Sequence, residues 1–386
     1  MEVLILGWYV LVETGSVLWL TAFASLQFTG TLLAPLFGVL GDRIGPRNLL
    51  SVMRAIYAML ATLMMSFAFM GVLSPLHVFA IAAVSGAVRP SDMVMRNALV
   101  GETMPADRLM GAMSIARTTA DSARIAGALA GAGMVAALGM GFAYLAIASL
   151  YAVSALLTLG VANNRPGARA TVAGIVSPTS PWRDLRDALA YVWTRPQLLA
   201  AMCLAFLINM TAFPLSGGLL PYVAKDIYLI DRTGLGYLVA SFAFGGLVGS
   251  ILLGKISNAI RPGRMMLVFA AIWYVLLLVF AQQDRAVGGA MLLLLCGMAG
   301  SLSMVPMSVM LLRTAGAELR VRVMGLRMLA VYGLPVGLLV AGPLIQGYGF
   351  PATATLYGAI GLLFTFLIGL RWRRHLWPLE AAANTR

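Results

Sequence analysis

Charged side chains are scarce in this chain. They make up 11% of its 386 residues, less than half the ~25% of an ordinary soluble domain, and 61% of the residues are hydrophobic. A solvated surface cannot be built from that, so the chain reads as an all-α integral membrane protein. Cysteine is nearly missing: Cys203 and Cys296 lie alone in apolar runs, which excludes a disulfide framework or a thiolate metal site. The two histidines, His77 and His375, are equally isolated, so neither a metal site nor a nucleophile triad is expected, and no cofactor is implied. Met1-Glu2 brings no basic segment, so no cleavable signal peptide is read at the start. Acids are outnumbered, 14 against 27 lysines and arginines. A net charge of +13 would suit nucleic acid, but the arginines gather in loops on one side of the apolar runs, where they act as topology signals.

Long apolar runs are what the chain has instead. Residues 17–40, 49–73, 75–100, 110–137 and 140–161 form a first set. Residues 198–223, 233–256, 265–281, 287–312, 323–348 and 352–370 form a second. A span takes ~20 apolar residues, with some variation. Residues 1–12 are apolar but short, rising ~18 Å against a hydrocarbon core of ~30 Å, and Glu13-Thr14-Gly15-Ser16 then signals a loop. They are read as the outer part of a first helix whose beginning is absent. The organisation expected is a transmembrane bundle over 1–161, a linker over 162–196, a second bundle over 197–371 and a tail over 372–386. Two six-helix bundles with twelve helices result, the first truncated at its N-terminus. In the linker, Ser180 can cap a helix with Pro181 at its first position. Trp182, Leu185, Leu189 and Val192 would share one face, set on the inner leaflet or packed on the bundle ends.

The two sets repeat weakly. Arg108-Leu-Met-Gly111 recurs as Arg322-Val-Met-Gly325, and Gly38-x3-Asp42 recurs in degraded form as Gly254-x3-Asn258. Matching loops in two halves indicate a parallel repeat. Arginines concentrate in the loops around 43–47, 108, 165–195, 255–264 and 313–322 and in the tail, whereas the opposite loops hold Lys225, Arg232 and Arg285. The positive-inside rule then places the 38–47 loop, the linker and the C-terminus in the cytoplasm of a multi-pass protein of the bacterial inner membrane.

Charges inside the runs are the candidates for chemistry. Arg89, Asp92 and Arg96 are spaced three and four residues apart, and Arg117, Asp121 and Arg124 four and three, so each trio lies on one helix face. A symmetric hairpin near 104–107 would set the two stripes at matching depths, with the aspartates ~15 Å or slightly more into the membrane. Each such charge costs at least ~2.5–3.5 kcal/mol and marks a pathway or proton relay by default; an ion-pair cluster that only joins the helices is the plainer alternative. Four arginines against two aspartates favour an anionic ligand. Gly249-x4-Gly254-Lys255 nearly matches a phosphate-binding loop, but Ile256 stands where a Ser or Thr should follow and no strand precedes it. Most of the 24 methionines are explained by core filling on helices.

Gly38-x3-Asp42-Arg43-x-Gly45-x-Arg47 resembles the loop signature of the major facilitator superfamily. With 97–113 and 123–133, it is similar to the enterobactin-exporter and macrolide-efflux branch of that superfamily. The resemblance implies two six-helix bundles around a central cavity and export of a small siderophore- or drug-like molecule, typically in exchange for protons. It also implies that Asp42, the loop arginines and Glu102 form a cytoplasmic gate cluster. The chain departs from exporters at Ala123-x3-Gly127-Ala128-x2-Gly131-Ala132, where the family's proline is lost; Gly127 and Gly131 are then read as helix-packing residues. A solute importer of the same fold, or a degenerate non-transporting membrane protein, stays open beside the exporter. The partners expected are the substrate, protons and the bilayer, with the chain a monomer.

Overall fold

A computed structural model describes residues 2–31, 44–103, 106–161, 186, 190–256, 261–314, 327 and 329–376. Two compact units divide it, Met1–Ser177 with Asp231–Gly236, and Pro178–Ile230 with Tyr237–Arg386. Among the described residues the regular structure is helical, and seven helices are long and apolar enough to cross a membrane.

The first unit holds α1 (Glu2–Thr14), α2 (Val17–Leu26), α3 (Pro46–Phe69), α4 (Pro75–Thr103) and α5 (Ala106–Leu159). Proline opens α3 and α4, where its missing N–H costs nothing and its φ is already helical. Gly45, before α3, has φ 86° and ψ 144°, a conformation open only to glycine. The run from Met110 is not one helix. Gly139 takes φ 81° and ψ 177° inside α5, so the element is two helices meeting at a glycine break, close to the boundary expected between 137 and 140. Within the expected 17–40 span, α2 runs to Leu26 and a short 3-10 turn covers Thr29–Thr31, with 32–43 outside the described residues. Close packing accompanies the turn, because Gly30 and Gly86 bring α4 against the end of α2 so tightly that a Cβ on either would strike backbone carbonyl oxygens. The core beneath joins α1 through α5, with Leu6, Phe23, Met64, Ile81 and Tyr144 buried in it. Leu49, Met53, Tyr57, Val88 and Met95 form a second cluster.

The second unit holds α6 (Pro196–Leu207), α7 (Arg232–Ile256, whose start up to Gly236 groups with the first unit), α8 (Pro262–Phe280), α9 (Ala286–Thr314), α10 (Gly333–Arg371) and α11 (Arg373–Leu376). Beyond Leu207 the chain continues α6 through π-helical turns at Ile208–Ala212, Pro214–Gly218 and Val223–Ile227. Pro214 cannot donate to the ladder, and a π turn is how a helix absorbs such an interruption. Gly349, with φ 80° and ψ 167°, breaks α10 as Gly139 breaks α5, at the corresponding place in the second half. Counting across these breaks gives five apolar helices after α1 in the first unit and six in the second, compatible with twelve. The linker from 162 to 185 lies outside the described residues.

Candidate functional site

The first unit encloses a polar cavity of about 610 Å³ walled by α1, α3, α4 and α5. Three of its side chains come from α4: Arg89, Asp92 and Arg96. The helical spacing that put them on one face in the sequence thus holds. Their partners come from elsewhere. Arg54 on α3 approaches Asp92 Oδ1 at 3.6 Å, with side-chain exposures of 19% and 22%. The second terminal nitrogen of Arg54 donates to Ser154 Oγ on the last part of α5. Arg89 lies 3.8 Å from Glu2 Oε2 on α1, and the Tyr151 hydroxyl donates to the same carboxylate oxygen at 3.3 Å. Tyr57 and Tyr151 close one wall, their ring centroids 5.2 Å apart.

Two carboxylates and three guanidiniums therefore face this space. Arg96 has no carboxylate partner among the described residues, and its Nε is buried without a hydrogen bond. An excess cation in a half-enclosed, low-dielectric cleft concentrates anions. The volume lies within the ~300–1,000 Å³ usual for small-molecule sites.

Asp92 contacts Arg54 of α3, and of the 117–124 stripe of α5, expected at a matching depth, Arg124 is exposed. The side chains of Arg117 and Asp121 lie outside the described residues, although neighbouring Ala120 lines the cavity. Of the loop signature, Gly38, Asp42 and Arg43 lie outside the described residues, as does the Glu102 side chain. Gly45 makes the turn, and Arg47 donates to the Leu159 carbonyl at the end of α5. A cation there also complements the negative end of the helix. Gly131 is buried and Gly127 half-buried. Beside them, Ala128 and Ala132 pack on Gly236 so closely that a Cβ on Gly236 would come within 2.7 Å of Ala132 Cβ. In the second unit Arg327 donates to Ser308 Oγ at 2.6 Å.

Glu2, Arg54, Tyr57, Tyr151 and Ser154 were missed in the sequence. Arg54 carried a usable signal, a lone charge inside an apolar run. The other four look like ordinary residues until α1, α3 and α5 are brought together.

A multi-pass helical membrane protein with charges buried between its spans is the class these features define. The family model of the Major Facilitator Superfamily matches residues 4–336, and again 202–383; the chain belongs to that superfamily. No curated protein matches it. Among solved structures, a point variant of the nucleoside transporter NupG is similar with a TM-score of 0.74 at 14% identity, over 95% of this chain and 94% of that one. Another NupG structure gives 0.68 at 15% identity, over 95% and 94%. The fucose:proton symporter FucP of E. coli, also a point variant, gives 0.61 at 17%, over 96% and 93%. At these identities the likeness is one of fold.

Proposed function

We propose that the chain is a secondary active transporter that carries a small anionic or amphiphilic molecule by alternating access, coupled to protons. The observation that carries this reading is the polar cavity of the first unit. It pairs Arg54 with Asp92 and Arg89 with Glu2 and leaves Arg96 without a carboxylate among the described residues. Arg96 is the anchor for the anion. An acid carries the proton, either Asp92 on the cavity wall or Asp121, next in the chain to Ala120. Outward transport, as a proton antiporter, follows from the resemblance of the 38–47 and 97–113 segments to exporters. Asp42, Arg43, Arg47 and Glu102 would close the cytoplasmic side.

Import is the second reading, favoured by the likeness of fold to a fucose:proton symporter. Proteoliposomes with an imposed pH gradient test both. Wild-type protein should move a labelled organic anion in a gradient-dependent way, and Arg96→Gln should weaken its apparent affinity about tenfold, ~1.4 kcal/mol. Right-side-out and inverted vesicles then separate export from import. Flux that ignores the gradient, or equal affinity in Arg96→Gln, would sink the proposal.

A further inference from the structure

We propose that the second unit binds one anionic phospholipid in an apolar trough between α8 and the second half of α10, with its headgroup on Arg373 and Arg374. The walls are residues 267–278 of α8 and 359–370 of α10. Twelve helical residues rise ~17 Å, close to the ~15 Å depth of one leaflet, half of a ~30 Å core. The trough encloses about 1380 Å³, more than the ~1,000 Å³ upper range of small-molecule pockets. Its rim is open and greasy: Val268, Leu363 and Phe366 are 45%, 54% and 61% exposed. Thr365, the polar residue along the wall, already donates its hydroxyl to the Gly361 carbonyl at 2.7 Å.

The trough's character changes at one end, where Arg373 and Arg374 stand on α11. That end sits at the membrane surface, since α10 finishes at Arg371 and Gly263, at the start of α8, packs on Leu376. Neither guanidinium is ion-paired among the described residues. Arg371 differs, its guanidinium 5.8 Å from the Trp372 ring centroid. An acyl chain has the shape and polarity of the trough, and a phosphodiester takes paired, charge-assisted hydrogen bonds from arginine. Basic pockets at the ends of transmembrane helices select anionic headgroups for that reason. A free anion would use the arginines and leave the trough unfilled.

Delipidated full-length protein in neutral detergent, titrated with phosphatidylglycerol or phosphatidylcholine and read by native mass spectrometry, tests the site. Phosphatidylglycerol should bind at least tenfold more tightly. The double variant Arg373→Gln/Arg374→Gln should lose that preference, while Arg285→Gln, with the same change of charge per site, should keep it. Gly369→Phe should weaken both lipids, because a Cβ there meets nothing nearer than Leu267 Cδ1 at 3.6 Å and the ring would fill the trough. Equal binding of the two lipids by the wild type overturns the proposal without any variant. So does a preference that survives the double substitution, or competition by glycerol phosphate as effective as by the lipid.

Discussion

Arg54 on α3 stands 3.6 Å from Asp92 on α4 while donating to Ser154 on α5. One guanidinium ties three helices of the first unit together. Asp92 Oδ1 and Arg54 Nε are both buried without a hydrogen bond, so the pair rests on charge attraction. Removing one partner strands the other in a medium that solvates it poorly.

Asp92→Asn and Arg54→Gln should each destabilise the purified protein. The cost lies between the ~0–1 kcal/mol of exposed pairs and the ~3–5 kcal/mol of fully buried ones, since about a fifth of each side chain is exposed. The double variant should recover part of the loss. Thermal unfolding in detergent measures the cycle; strictly additive losses would mean that the two charges do not interact.

Coupling is tested in the same helices. If one of Asp92 and Asp121 carries the proton, replacing it with Asn should uncouple flux from the pH gradient while the protein still accumulates. Asp121 is the stronger candidate, since Thr118 and Ser122 flank it in the chain and can solvate either state. Unchanged gradient dependence in both Asn variants would remove this site from the mechanism, and loss of accumulation by both would favour a purely structural cluster.

Gly45→Ala should cost about 1–3 kcal/mol, because φ 86° with ψ 144° is strained for any L side chain. Crowding is not the cause, as nothing lies within 4 Å of a Cβ there. Asn, whose tolerance of positive φ is confined to the left-handed helical region, should do no better than Ala. An Ala variant as stable as wild type would show that the turn relaxes.

In the second unit, Gly245 and Gly297 let α7 and α9 meet backbone to backbone; a Cβ on either would strike the Leu294 or Phe242 carbonyl. Backbone does not yield as a side chain does, so Gly297→Ala should cost ~1–3 kcal/mol. Gly133→Ala, with nothing within 4 Å, serves as the control and should stay within about 0.5 kcal/mol. Size-exclusion profiles and unfolding temperatures would report both, and matching behaviour would contradict this packing.

Composition and run length by themselves determined the membrane class, the helical architecture and most of the spans. Burial in lipid demands helices whose backbone groups are satisfied internally, and that demand is written locally. The α4 stripe was also legible, because a 3.6-residue period sets which residues share a face whatever surrounds them. The partners of that stripe were decided by tertiary structure alone. Glu2, Arg54 and Tyr151 meet Arg89 and Asp92 because of how α1, α3 and α5 are rotated about their axes. In an apolar run a helix carries little polar bias to reveal its rotation. Small-residue contacts such as Gly30 on Ala87 set it instead, and those arise only between segments far apart in the chain.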